Sequence, residues 1–389
     1  MTVIIILWLL IFLLSILLIK QLNINKNMFF CILISILIIL FTVNINTCIP
    51  AALNGFQLWY KAILPTTFPF VIICNLLISY NGIDLYSKIL GPLICRPLGL
   101  SKSCSFPIVA SMLCGYPLGA KYCTDVYNMG YIEKDEYERL LNIASNVGPL
   151  FLVGSVGAAL LNNVCLGYIM LVSSYLSCFA IGLITKKKKD ILHESNLPSF
   201  KNTTLNFGTA IKSAVENAIN TVLSIGGFIV IFSVIISLIK KSNCIYYLFN
   251  NLENFTHSTS ETLYGIFLGS IEITNGCNII SNLPMSIPLK VSIISFLCSF
   301  SGLAIIAQVS SFVSESNIRY SKYILFKLIQ GIFSFFITYI FTLIIPTSIY
   351  TSKTYTTLLN PYLFILPVIL LLVLTFAFSL IYKLLFHIS

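Results

Sequence analysis

Residues 114–121 read CGYPLGAK, and this break inside an apolar stretch decides the fold. Glycines at 115 and 119 and a proline at 117 concentrate bends there, because glycine permits unusual backbone angles and proline cannot continue a helix. A second break, at 270–276, reads SIEITNG. The arms on either side of both breaks are too short to cross a bilayer, so they predict re-entrant hairpins over 85–120 and 263–283.

The chain as a whole has the composition of a membrane protein. Of its 389 residues, 57% are hydrophobic and 9% are charged, and its mean hydropathy is +0.94, so in water it would expose too much apolar surface. Runs of spanning length occur at 3–19, 28–43, 63–80, 140–162, 164–185, 218–239, 289–313, 323–346 and 361–386. The predicted fold class is an all-α polytopic membrane protein with about nine transmembrane helices plus the two re-entrant hairpins.

Basic residues predict how the chain is oriented. The net charge of +10 would fit nucleic acid in a soluble protein, but here the cations lie mostly in loops and at segment ends, so no nucleic-acid partner is expected. The tetralysine run at 186–189 predicts a cytoplasmic basic linker. Counting from it places the N-terminus outside and the C-terminus, after Lys383, inside. Lys240 and Lys241 fall outside on the same count.

The two halves of the chain carry similar patterns. FPFVII at 68–73 lies 157 residues before IGGFIV at 225–230, and the same offset relates Gly119 to Gly276. With the charge-derived topology this predicts an inverted repeat, an arrangement that many secondary transporters use. The predicted units are an N-terminal helix pair (1–50), a first repeat (51–185), the basic linker (186–208), a second repeat (209–346) and a C-terminal helix (347–389).

Helix breaks at membrane depth are the candidate binding sites for a small-molecule solute. A broken helix leaves free N–H groups at one new end, and these favour an anion. The residues predicted to bind the solute are Gly115, Tyr116, Pro117, Gly119, Lys121, Asn146 and Gly148 in the first half and Thr274, Asn275, Gly276 and Gln308 in the second. The alternatives are a tight turn needed only for packing and, for the amides, hydrogen bonding between helices.

Two ionisable residues are expected at depth, where charge is costly unless it is paired or hydrated. Lys121 either neutralises an anionic solute, pairs with Glu272, or extends to the cytoplasmic interface. Glu272 either binds a coupling proton or cation, or accepts hydrogen bonds from the hairpin backbone. The residues leave these alternatives open.

Enzyme and metal chemistry find no supporting pattern in the sequence. The three histidines (193, 257 and 387) lack ligand spacing, and the twelve cysteines include no Cys-x-x-Cys pair, so we interpret them as small hydrophobic residues. We therefore expect no enzymatic activity, no metal and no cofactor.

Several motifs together resemble those of a known family. They are LP at 64–65, FPF at 68–70, GYPLGAK at 115–121, ERLL at 138–141, NVGPLF at 146–151, IGGFI at 225–229, EITNG at 272–276 and AQV at 307–309. The set resembles the YlbJ-type sporulation integral membrane proteins with nucleoside-recognition Gate domains, over roughly residues 50–345. At Val147 the family often has a small polar residue.

The resemblance implies a fold similar to that of concentrative nucleoside transporters, with two hairpins and two unwound helices around the site. It further implies an endospore former, a location in the outer forespore membrane, and movement of dipicolinic acid toward the spore. Three functions stay open at this point: transport of a small anion such as dipicolinate, nucleoside uptake coupled to a proton or cation, and a non-transporting sporulation scaffold or sensor. The oligomeric state is not indicated.

Overall fold

The computed structural model describes residues 26–186, 206–256, 261–314 and 318–345, with two isolated positions further on. Within these ranges the regular structure is entirely helical, which confirms the predicted all-α class. The predicted first span at 3–19, the lysines at 187–189 and nearly all of the predicted last span at 361–386 lie outside the described residues.

Between residues 26 and 186 the chain forms a series of short and long helices. They are α1 (Lys26–Val43), α2 (Ile45–Leu58), α3 (Leu64–Ser79), α4 (Gly82–Ile89), α5 (Gly91–Leu98), α6 (Ser105–Cys114), α7 (Leu118–Asn128), α8 (Lys134–Ile143), a π-helix (Leu150–Leu160) and α9 (Val164–Ile184). A π-helical turn at Trp59–Ile63 joins α2 to α3.

The second half contains seven helices within the described residues. They are α10 (Phe207–Lys241), α11 (Asn243–Thr256), α12 (Thr262–Ile271), α13 (Ile273–Asn282), α14 (Ile287–Phe300), α15 (Gly302–Val313) and α16 (Tyr320–Ile344). Asparagine side chains start two of the long helices: Asn163 accepts from the amides of Cys165 and Leu166 before α9, and Asn206 caps α10 in the same way.

Five helical stretches in the described part of the chain are long and apolar enough to cross a membrane. They are Ile45–Ser79, Val164–Ile184, Phe207–Lys241, Ile287–Val313 and Tyr320–Ile344. At 1.5 Å per residue each reaches about 30 Å or more, which matches the hydrocarbon core. The protein is an integral membrane protein; the total of nine spans stays a prediction.

The two halves are repeats that pack against each other reciprocally. Ser105 and Thr262, the first residues of α6 and α12, are 157 positions apart, the offset predicted from the sequence. Helix α7 of the first half contacts α15 of the second, and its counterpart α13 contacts the π-helix of the first half. In the same way, α8 contacts α16, and its counterpart α14 contacts α9. Such exchanged pairs are what a two-fold axis produces. The opposite orientation of the halves in the membrane stays a prediction.

Two predicted boundaries differ from the structure. The first hairpin was predicted over 85–120, but its arms are α6 and α7, and residues 82–98 form the short helices α4 and α5 instead. Gly99, with φ +63°, ends α5, and the charged residues Asp84, Lys88 and Arg96 make these helices too polar for lipid-facing arms. The span predicted from 63 begins at Ile45, so the predicted boundary at residue 50 falls inside α2.

Candidate functional site

The tip of the first hairpin lies against a separate helix break, which separates α8 from the π-helix. We call this the first break. Gly115 has φ +83°, and a Cβ there would come within 2.5 Å of the Gly148 amide nitrogen, so the two backbones approach as closely as glycine permits. The Tyr116 amide donates to the Asn146 carbonyl at 2.6 Å. At Gly119, a Cβ would collide with the Ala144 carbonyl oxygen. The structure thus brings the predicted residues Gly115, Tyr116, Gly119, Asn146 and Gly148 together.

The second hairpin is arranged in the same way, with Glu272 at its tip. The Glu272 carboxylate accepts from the Thr274 amide at 2.9 Å, the Asn275 amide at 3.0 Å and the Asn275 side-chain amide at 2.7 Å, so it caps α13. Gly276 packs against the Gly269 backbone of the opposite arm. These contacts show Glu272 in the hydrogen-bonding role that was one of its two sequence alternatives.

A second break, between α14 and α15, meets this hairpin. Ser301 and Gly302 both have positive φ, at +73° and +72°, which ends a right-handed helix. A Cβ on Gly302 would lie 3.1 Å from the Gly269 carbonyl oxygen, so this break lies against hairpin backbone as the first one does. The Tyr116 hydroxyl donates to the Cys298 carbonyl at 3.2 Å and joins the two halves directly.

Lys121 has partners of its own, and Gln308 lies on the helix that follows the second break. The Lys121 amine is paired with Asp125 at 2.6 Å and lies 3.5 Å from the Asn75 side-chain oxygen on α3. It forms its ion pair with this carboxylate rather than with Glu272, so its charge is already compensated. Gln308 is buried on α15, the helix that packs against α7.

A polar cavity of about 590 Å³ opens beside the second hairpin, between α2, α10 and α13. Its lining includes Lys240, Lys241, Asn275, Thr47 and further polar residues, and none of the lining residues is acidic. The Lys240 amine donates to the Asn275 side-chain oxygen at 2.5 Å, which connects the cavity to the hairpin tip that Glu272 caps. We call this the α2/α10 cavity. The cavity is wide open to its surroundings, its lining carries two positive charges, and the Glu272 carboxylate lies close enough to Lys240 to act on it electrostatically.

The most deeply buried charged side chain at the first break is one that sequence reasoning missed. Lys327 on α16 has no exposed surface, and its amine donates to the Ser145 carbonyl at 2.5 Å and to the Gln330 side-chain oxygen at 2.7 Å. Gln330 in turn donates to the Asn146 side-chain oxygen at 2.9 Å. A lysine inside the apolar run 323–346 was the sequence signal that could have found this network.

Metal chemistry has no candidate in the described part of the chain, where no three His, Cys, Asp or Glu side chains gather as ligands.

Comparison with known families and structures adds three findings. The model of the Gate family, described as nucleoside recognition, matches residues 60–187. The matched region runs from the π-helical turn to the end of α9, so it contains the first hairpin, the first break and the residues that pack them together.

A curated relative matches more of the chain than the Gate model does. The chain is 26% identical to the sporulation integral membrane protein YlbJ of Bacillus subtilis (strain 168), over 78% of each chain. This and the Gate match confirm the family resemblance predicted from the motifs. A structure of CNTnw in an inward-facing substrate-bound state is similar with a TM-score of 0.40 and 14% identity, covering 78% of this chain and 85% of that one.

Proposed function

We propose that the protein is a secondary transporter of a small anionic solute, and that the solute is dipicolinic acid, moved across the outer forespore membrane of a sporulating bacterium. The observation that supports an anionic solute is the α2/α10 cavity. Two lysines and several hydroxyl and amide groups line this cavity, and no carboxylate does. A dicarboxylate fits this lining because each carboxylate can meet a cation and a neutral donor.

Support for transport comes from the reciprocal halves. Each hairpin tip lies against a helix break through close glycine contacts, so each half has a compact unit that can move against the other without unfolding. The Lys240–Asn275 contact links the cavity to the second hairpin, which gives a bound anion a direct effect on one of these units. Support for a sporulation role comes from the similarity to YlbJ, a sporulation integral membrane protein.

A second candidate, nucleoside transport, rests on the nucleoside recognition that describes the Gate family. Nucleosides are uncharged, so they would gain little from Lys240 and Lys241. The two candidates therefore differ in how binding responds to the cavity charge.

Binding to the purified protein in detergent distinguishes them. We expect dipicolinate to bind and Lys240→Met to weaken it by about three- to tenfold, because a partly exposed charge contact contributes about 0.5–1.5 kcal/mol. Lys212→Met is the matched control, since Lys212 lies at the other end of α10 and its side chain is 77% exposed. If uridine binds with higher affinity than dipicolinate, and Lys240→Met leaves the uridine affinity unchanged, the result would favour the nucleoside candidate and contradict the anion proposal.

A further inference from the structure

Lys327 lies where a transport cycle would have to open the protein. Its amine bonds to the carbonyl of Ser145, inside the first break, and to Gln330, which holds the side chain of Asn146 in the same break. A separation of α16 from this break would therefore expose the amine to a different environment. None of the contacts described for the hairpins or the α2/α10 cavity uses it.

No carboxylate among the described residues accepts from this lysine. Three helices pack against α16. Their titratable groups are Cys165, Tyr168, Tyr175 and Cys178 on α9, Lys290 and Cys298 on α14, and Lys134, Asp135, Glu136, Tyr137, Glu138 and Arg139 on α8, while α16 itself also carries Tyr320, Lys322, Tyr323 and Tyr339. Arg139 bonds to the carbonyls of Leu98 and Gly99, away from the amine. A buried cation without a counter-charge is costly in a membrane protein, so the closed arrangement favours the neutral amine.

The hydrogen bonds agree with a neutral amine. An uncharged amine has two N–H donors and an ammonium has three. Two acceptors are described for the Lys327 nitrogen, the Ser145 carbonyl and the Gln330 oxygen. Opening the break to water would supply a third acceptor and stabilise the charged form.

Polar contacts lead from a second cavity toward this amine. This cavity, of about 290 Å³ between α8 and α16, is lined by polar residues that include Asp135, Glu138, Lys322 and Tyr323, and we call it the α8/α16 cavity. The Tyr323 hydroxyl lies 2.7 Å from the Ser145 hydroxyl, and the carbonyl of the same Ser145 accepts from Lys327. The Tyr323 and Ser145 hydroxyls therefore connect the cavity lining to the residue whose carbonyl holds the amine, and hydroxyl groups can both donate and accept protons.

The fold does not require a lysine at this position. The residue 157 positions earlier, in the corresponding helix α9, is Met170, which is also fully buried. One half of the repeat thus packs an apolar side chain where the other half packs an amine. The lysine is an asymmetric feature of a symmetric framework, which favours a role in chemistry over a role in packing.

The geometry points to Lys327 as the proton-binding group that couples solute movement to a proton gradient, with the Tyr323 and Ser145 hydroxyls as its path to the α8/α16 cavity. The neutral amine takes up one proton from water when the break opens to one side of the membrane, and it gives the proton up through the Tyr323 and Ser145 hydroxyls to the α8/α16 cavity when the break closes. No bond to the solute forms, and no oxidant or reductant takes part. This inference rests on the proposed transport function, and it assigns the coupling proton to Lys327 rather than to Glu272.

The test uses the full chain in liposomes that contain a pH-sensitive dye. The probe is labelled dipicolinate, and it is labelled uridine if the wild type exchanges uridine and not dipicolinate. Two rates are measured: counterflow exchange without a pH gradient, and uptake driven by an inward proton gradient. We expect the wild type to show both, with dye acidification accompanying driven uptake. Lys327→Met should retain counterflow above that of empty vesicles and lose stimulation by the gradient. Lys88→Met, an exposed lysine on α4, is the control and should behave as wild type.

Each outcome bears on the inference separately from the transport proposal. Wild-type counterflow without proton entry, or gradient-driven uptake that survives Lys327→Met, overturns the proton site and leaves transport standing. Absence of wild-type counterflow with either probe overturns both. If Lys327→Met fails to fold, Tyr323→Phe takes its place: gradient-driven uptake should fall at least about tenfold while counterflow persists. Unchanged driven uptake in Tyr323→Phe contradicts the path.

Discussion

Replacing Gly115 by alanine tests whether the first hairpin is held against the helix break as the structure describes. The residue has φ +83° and ψ −174°, a region that is nearly closed to side chains and costs about 1–3 kcal/mol. The new Cβ would also meet the Gly148 amide nitrogen at 2.5 Å and its Cα at 2.9 Å, and overpacking of this kind costs about 1–3 kcal/mol. The two costs together give a loss of about 2–6 kcal/mol, a large share of the usual 5–15 kcal/mol of stability.

Thermal and denaturant unfolding in detergent measure this loss. Gly227→Ala is the matched control, because Gly227 lies within α10 and nothing is within 4 Å of its added Cβ. Alanine in an open helical position should be neutral or stabilising by about 0.5–1 kcal/mol. If Gly115→Ala unfolds at the same denaturant concentration as Gly227→Ala, the contact between the hairpin tip and Gly148 is wrong.

Three further replacements test the other contacts of the site. Lys240→Met should weaken dipicolinate binding while leaving the unfolding midpoint near that of wild type, which separates a binding role from a structural one. Glu272→Gln should lower stability by about 0.5–2 kcal/mol through loss of the α13 cap, whereas Glu216→Gln, in an exposed pair, should have little effect in the same unfolding assay. Lys121→Met should lower stability because Asp125 loses its ion-pair partner, and adding Asp125→Asn should restore stability. If dipicolinate binding also recovers in the double variant, Lys121 is not part of the solute site.

The positions of the helix breaks could be predicted from sequence because they depend on local chemistry. Glycine and proline at 115–119 disrupt a helix wherever the chain goes, and the second hairpin, predicted over 263–283, is observed as α12 and α13 over Thr262–Asn282. The start of the first hairpin was wrong for a related reason. Gly91, Pro92 and Pro97 also interrupt apolar sequence, but they bound two short helices rather than one arm.

The partners across the site depend on tertiary packing and could not be predicted from spacing. Lys240 meets Asn275 only because α10 ends beside the second hairpin, and Lys327 meets the first break only because α16 packs against α8. Asp125 was different, since four residues after Lys121 it lies on the same helical face, and this spacing was a usable signal.

Counterflow of labelled dipicolinate in liposomes tests the transport of an anion most directly, because it requires binding and alternating access but no driving ion. We expect vesicles that contain the wild-type protein and excess unlabelled dipicolinate to accumulate the label transiently, and vesicles with Lys240→Met to do so more slowly at low substrate concentration. Folded wild-type protein that gives no accumulation above empty vesicles would contradict the account.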